Sequence, residues 1–102
     1  MNKEQFLKAR LGRREVVLQG VGTVVVRGLS RAEAFRVREC IGADAMERKV
    51  IELGLLDPSL DADEVLEWYQ CAPAGEVDLL SNAIQELSGL TEGAPKSGLP
   101  EV

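Results

Sequence analysis

The sequence predicts an α+β domain, mostly helical, with an N-terminal β-hairpin followed by about four short helices and a flexible C-terminal tail. Three observations carry this prediction. β-Branched residues crowd both sides of Gly20-Val21-Gly22, which is a hairpin signal. Two capping boxes, Ser30-x-x-Glu33 and Asp61-x-x-Glu64, each open a helix. Beyond residue 30 the apolar residues recur at three- and four-residue spacing, and Gly or Pro closes each run. The chain has 102 residues, enough for one domain with one modest core. The expected division is a single domain over 1–90 and a tail over 91–102.

Residues 2–11 read as a short helix with Phe6, Leu7 and Leu11 on a weak apolar side. Such a helix is too short to hold alone, so it must dock or fray. Residues 15–19 and 23–27 read as the two strands of the hairpin. Two strands alone are marginal in water, so they must pack on helices or pair with another chain. Gly20-x-Gly22 is not a nucleotide loop, since the full G-x-G-x-x-G pattern and a following βαβ unit are absent.

The helix opened by Ser30 should run to about Ile41 and stop at Gly42. Ala34, Val37 and Ile41 then share its inner face. Phe35 lies off that stripe and either packs on the hairpin or anchors a partner. The next helix, 43–53, should bury Ala43, Met46, Val50 and Leu53, with Asp44, Glu47, Arg48 and Glu52 opposite. Gly54 reads as its left-handed stop, with Leu55 folding back on Val50 before the break at Asp57-Pro58. Leu60 and Val65 then form a hydrophobic staple around the Asp61 cap. Val65, Trp68, Tyr69 and Ala72 give that helix a core face, and Pro73 ends it. The last helix starts near Ala74 and presents Val77, Leu80, Ile84 and Leu87 on one side. Gly89 stops it, Leu90 can reach Ile84, and Leu79 points off the stripe toward a partner. Residues 91–102 hold two Gly and two Pro and read as flexible.

Charge divides the chain. The net charge is −5, yet residues 1–49 carry eleven Lys/Arg against six Asp/Glu, and residues 50–95 carry ten acids and no base. Such a dipole either steers a basic or amphipathic partner or serves as a solvated face. Nucleic acid and membrane are not expected partners. The chain is acidic, has only four aromatics and contains no apolar run long enough to span a bilayer. The start lacks the apolar segment of a secretory signal, so a cytosolic protein with reduced thiols is expected.

Catalytic chemistry is scarce. There is no histidine, which excludes His-based triads and metal sites. Cys40 and Cys71 cannot make an all-cysteine zinc site, and they read as small buried apolar residues. Asp63 and Glu67 stand one turn apart and could share a cation, but acids favour the first turn of a helix anyway. The Asp61-x-Asp63 pair lacks the rest of a calcium-binding loop. No catalytic, metal or cofactor residues are assigned, and the protein is read as non-enzymatic.

Two segments carry a resemblance. Residues 24–33, Val-Val-Val-Arg-Gly-Leu-Ser-Arg-Ala-Glu, follow the pattern V-x-V-R-x-L-(S/T)-x-x-E of a strand-to-helix junction. Residues 84–90, Ile-Gln-Glu-Leu-Ser-Gly-Leu, follow the closing pattern I-x-x-L-S-G-L ahead of a tail bearing Gly, Ala and Lys. With the Pro73-Ala74-Gly75-Glu76 turn, residues 15–96 resemble the tail assembly chaperones of long-tailed bacteriophages and prophages. The resemblance implies a non-enzymatic protein of the infected or lysogenic host cytoplasm. It implies binding to the tape measure protein, which is kept soluble, and recruitment of the tail tube protein, with absence from the mature virion. A longer, frameshifted form of the chain and a homo-oligomer are further implied partners. The expected contacts are Phe35, Leu79 and Leu90, with Asp63 and Glu67 in the acidic helix steering. A virion tail adaptor and a small DNA-binding regulator using the basic N-terminal half are the alternatives.

Overall fold

The computed structural model describes residues 1–90. The tail expected over 91–102 lies outside the described residues. The order of elements is α1 (Lys3–Leu7), β1 (Arg13–Leu18), β2 (Gly22–Arg27), α2 (Arg31–Arg38), α3 (Ala43–Gly54), β3 (Leu55–Asp57), α4 (Ala62–Cys71) and α5 (Ala74–Leu87). The α+β class and the N-terminal hairpin are as the sequence predicts.

The hairpin pairs Arg13 with Arg27 through to Leu18 with Gly22. Its alternation places Val16, Leu18, Val24 and Val26 on the buried face, where α5 packs against both strands. A third strand, β3, pairs antiparallel with the other side of β2 through Val25–Asp57 and Val26–Leu55. The sequence reading missed β3. It is three residues long with no alternation to read, and its pairing with β2 is a long-range contact. The same finding corrects the reading of Gly54 and Leu55. Gly54 is the last residue of α3, not a left-handed stop, and Leu55 enters the sheet while sharing the core with Val50. A Cβ on Gly54 would lie 2.6 Å from Ile84 Cδ1, so the missing side chain is what lets α3 approach α5.

Other expectations also shift. α1 ends at Leu7, earlier than residue 11, and Phe6 and Leu7 stay exposed. The helix is too short to offer a face worth docking, though Asn2 caps it by accepting the Glu4 N–H. α2 ends at Arg38, and Ile41 falls in the connection, 94% exposed, instead of on the inner face. On α3, Ala43 is exposed and Met46 half-buried, whereas Ile51, absent from the expected stripe, is fully buried. The helix is rolled toward α5 and the sheet, which moves its buried centre to Val50, Ile51 and Gly54. Cys40 and Cys71 are free, but neither is buried.

α4 and α5 follow the expected registers. Both capping boxes form, with Ser30 and Glu33 exchanging bonds at 3.0 and 3.2 Å and Asp61 and Glu64 at 2.9 and 3.0 Å. Val65 is buried, and Leu60, Trp68 and Leu87 pack on the core. Ile51, Leu80, Ile84, Val26 and Val65 are its most enclosed side chains. Each such burial contributes roughly 1.5–3 kcal/mol. Gly89, at φ +75°, ends α5 as expected, and Leu90 N–H bonds back to Gln85 C=O at 2.9 Å.

The two motif segments meet. Gly28, between β2 and α2, lies so close to the end of α5 that a Cβ there would stand 2.6 Å from the Leu87 carbonyl oxygen. Next to it, Leu29 N–H donates to Ser88 Oγ at 2.7 Å, and that hydroxyl donates to Ile84 C=O at 2.6 Å. Arg27 clasps Glu33 with both terminal nitrogens, at 2.9 and 2.6 Å. The Arg27 hydrogen bonds, aided by those from Ser30, hold the Glu33 carboxyl down at about 2.

Gly28→Ala forces a methyl into the Leu87 backbone and is expected to lower unfolding free energy by about 1–3 kcal/mol. Ser88→Ala strands the Leu29 N–H, at a similar cost of about 1–3 kcal/mol. Denaturant unfolding measures both, and unchanged midpoints would remove this junction as a constraint. The Glu33 carboxyl titrates lower in the folded than in the unfolded chain. Its stabilisation is therefore complete above the ordinary value of 4.5 and is lost as pH falls toward about 2. Glu33→Gln should flatten the acid limb of stability against pH in that window.

Candidate functional site

α2, α3 and the end of α5 do not close against one another. Between them lies a groove of about 610 Å³, open to solvent. The strand-to-helix junction supplies Leu29, α2 supplies Ala34 and Val37, and α3 supplies Met46 and Val50. α5 supplies Ser81, Gln85 and Ser88, with Leu90 just beyond it. The gap exists because α2 is two turns long and strongly polar, so its two inner apolar residues cannot fill the space that Met46 faces. Met46 and Val37 are consequently half-buried. Methionine suits such a surface, because its flexible thioether adapts to different apolar shapes.

The polar groups near the groove are mostly engaged with each other. Ser81 accepts from Gln85 Nε2 at 3.0 Å, and Ser88 is held by Leu29 and Ile84 as above. Tyr69 of α4 donates to Glu47 Oε1 at 2.7 Å and joins α4 to the α3 rim. That bond, with burial and the nearby carboxylate charges, pushes the Tyr69 phenol above its ordinary value. Arg48 pairs with Asp44 at 3.5 Å and lies over the Tyr69 ring at 5.8 Å. Its Nε is buried without a partner among the described residues. Arg38 stands on the opposite rim. The groove thus has an apolar floor, with Asp44 and Glu47 on its α3 rim and Arg38 at its α2 edge. Among the described residues no group of three or more Cys, Asp or Glu is placed to hold a metal ion. No helix among them is long and apolar enough to cross a membrane.

The structure separates the residues singled out from sequence. Leu90 lines this groove. Phe35 is 52% exposed on the outer side of α2, not packed on the hairpin, and sits between the Arg31 and Arg38 guanidinium groups at 5.8 and 5.3 Å. Leu79 projects on a different side of α5, toward β1. Asp63 and Glu67 are exposed on α4 and line none of these surfaces. Trp68 packs on the core and donates to Glu76 at 2.8 Å, so it is not a ligand-stacking ring. Sequence reading missed Ala34, Val37, Met46 and Val50 as groove residues, because half-buried and buried apolar positions have the same helical spacing. The available signal was the shortness and polarity of α2, which offers only Ala34 and Val37 opposite Met46 and Val50.

Tyr69 is the single tyrosine, so ultraviolet titration of the native chain reads it directly. Its ionisation should fall above the ordinary value of 10 and move back toward it in Glu47→Gln. An unshifted native titration would break the proposed tie between α4 and the groove rim. Comparison with protein-family models, with curated proteins and with solved structures finds no match to this chain.

Proposed function

We propose that this chain is a non-enzymatic tail assembly chaperone of a long-tailed bacteriophage or prophage. It binds the tape measure protein, keeps it soluble and helps recruit tail tube subunits. It works in the cytoplasm of the host and leaves before the virion is complete. The observation that supports this reading is the open apolar groove, built where the two motif segments of the resemblance touch. A long helical partner exposes an apolar stripe and aggregates without cover. A groove with an apolar floor and charged rims suits one face of such a helix, entered through side chains at i, i+3/i+4 and i+7. Met46, Val37 and Leu90 form the apolar contact in this reading, and Arg38, Asp44 and Glu47 set the direction of the helix.

The test is affinity purification of the tagged chain from phage-producing cells, with mass spectrometry of what co-purifies and of finished particles. Recovery of one very long helical phage protein, with the chain absent from virions, supports the proposal. Retention in virions transfers the reading to a tail adaptor. Recovery of no viral protein overturns both. Val37→Glu and Met46→Glu alter half-buried positions, so the fold should survive. Each should weaken tape measure binding at least about tenfold, equivalent to roughly 1.4 kcal/mol. Phe35→Ala, outside the groove, should weaken it far less.

A further inference from the structure

Arg31, Phe35 and Arg38 follow one another at spacings of four and three residues, so they stand in one row along α2. The Phe35 ring, half in water, lies between the two guanidinium groups, 5.8 Å from Arg31 and 5.3 Å from Arg38. Such exposure forgoes much of what burying a phenylalanine contributes, and exposed cation–π contacts return less. The two arginines are also uncommitted. Arg14, Arg27, Arg48 and Lys49 each meet a carboxylate, whereas among the described residues no carboxylate pairs with Arg31 or Arg38. The one acid within α2, Glu33, is held by Arg27. Arg38 lies in the last turn, where a cation suits the helix dipole. Arg31 opens the helix, where a cation opposes that dipole, so helix stability does not account for it.

We propose that this row is a docking site for an acidic amphipathic helix of a partner protein. An apolar partner residue covers the free part of the Phe35 ring. A carboxylate on either side of it takes one guanidinium through paired hydrogen bonds. The step from Arg31 to Arg38 rises about 10 Å along α2. A helix lying alongside matches it with acids at i and i+7 around an apolar residue at i+3 or i+4.

Charge complementarity selects the occupant. Two free guanidinium groups flanking an aromatic ring call for two carboxylates flanking an apolar side chain. No helix among the described residues of this chain carries that pattern, so a second copy does not supply it. A nucleic acid strand fits less well. The net charge is −5, and Phe35 is the single aromatic ring of α2, so a base stacked on it finds no second ring to continue the stack. Arg31 and Phe35 lie outside the groove, and only Arg38 borders both surfaces. The inference does not depend on what the groove binds.

Fluorescence anisotropy of labelled peptides against the full chain tests it. The probe is an alanine-rich, end-capped helical peptide with Glu at i and i+7 and Leu at i+3. It should bind, with affinity falling as salt rises. Exchanging both its Glu for Gln, or its Leu for Ser, should weaken binding at least about fivefold. Phe35→Ala and Arg31→Gln in the chain should each do the same, with circular dichroism unchanged because both sites are exposed. Phe6→Ala should bind as the native chain does, although Phe6 also lies under an arginine, Arg10, at 5.7 Å. No binding at millimolar peptide overturns the proposal. So does equal binding of the Gln peptide, or equal binding by Phe35→Ala. Tighter binding of oligothymidylate than of the peptide, lost in Phe35→Ala, overturns it in favour of nucleic acid. A light-scattering mass of twice 11.1 kDa that Phe35→Ala abolishes overturns it in favour of a second copy.

Discussion

The contact of Gly28 with the last turn of α5 is the constraint on which the other features depend. Backbone meets backbone there, at a separation no side chain would permit. The Leu29–Ser88–Ile84 chain of hydrogen bonds locks the approach, since it satisfies a donor and an acceptor that water reaches poorly. With the strand-to-helix junction pinned to α5, the hairpin must lay its Val16, Leu18, Val24 and Val26 face on that helix. The Arg27–Glu33 clasp then fixes how α2 departs from β2. Gly54 repeats the device on the other side, where its missing side chain admits Ile84 and brings α3 against α5. Two glycines thus set the distances of the sheet and of α3 from a single helix.

α5 is the hub of the domain, and its sides do different things. Val77, Leu80 and Ile84 enter the core. Ser81, Gln85 and Ser88 line the groove, and Leu79, Asn82 and Glu86 border the free edge of β1. The polar residues of the groove side matter physically. They form satisfied hydrogen bonds within the helix and at its end, so they do not demand a polar ligand. The groove is left with an apolar floor whose covering by a partner is favourable.

The division of charge along the chain becomes a division of surfaces only in part. Arg31 and Arg38 bracket Phe35 on α2, and acids dominate α4. But ion pairs also join the two halves, as Arg14 does with Glu86. Such exposed pairs contribute little stability. Their effect is on which surfaces repel and which attract.

What the sequence alone determined was local. The hairpin, both capping boxes, the α4 and α5 registers and the stop at Gly89 all depend on contacts within a few residues, and spacing records them. The tertiary structure decided β3, the roll of α3 toward Ile51, the true use of Gly54 and the early end of α2. Each of these depends on what a distant segment presents. A three-residue strand has no period, and a glycine needed for close approach looks like a glycine needed for a turn. The candidate site was legible only at Leu90. Val37 and Met46 carry the same helical spacing whether a neighbour covers them or not. That choice rested on whether the short, polar α2 could fill the space beside α3, which is a matter of volumes brought together by the fold.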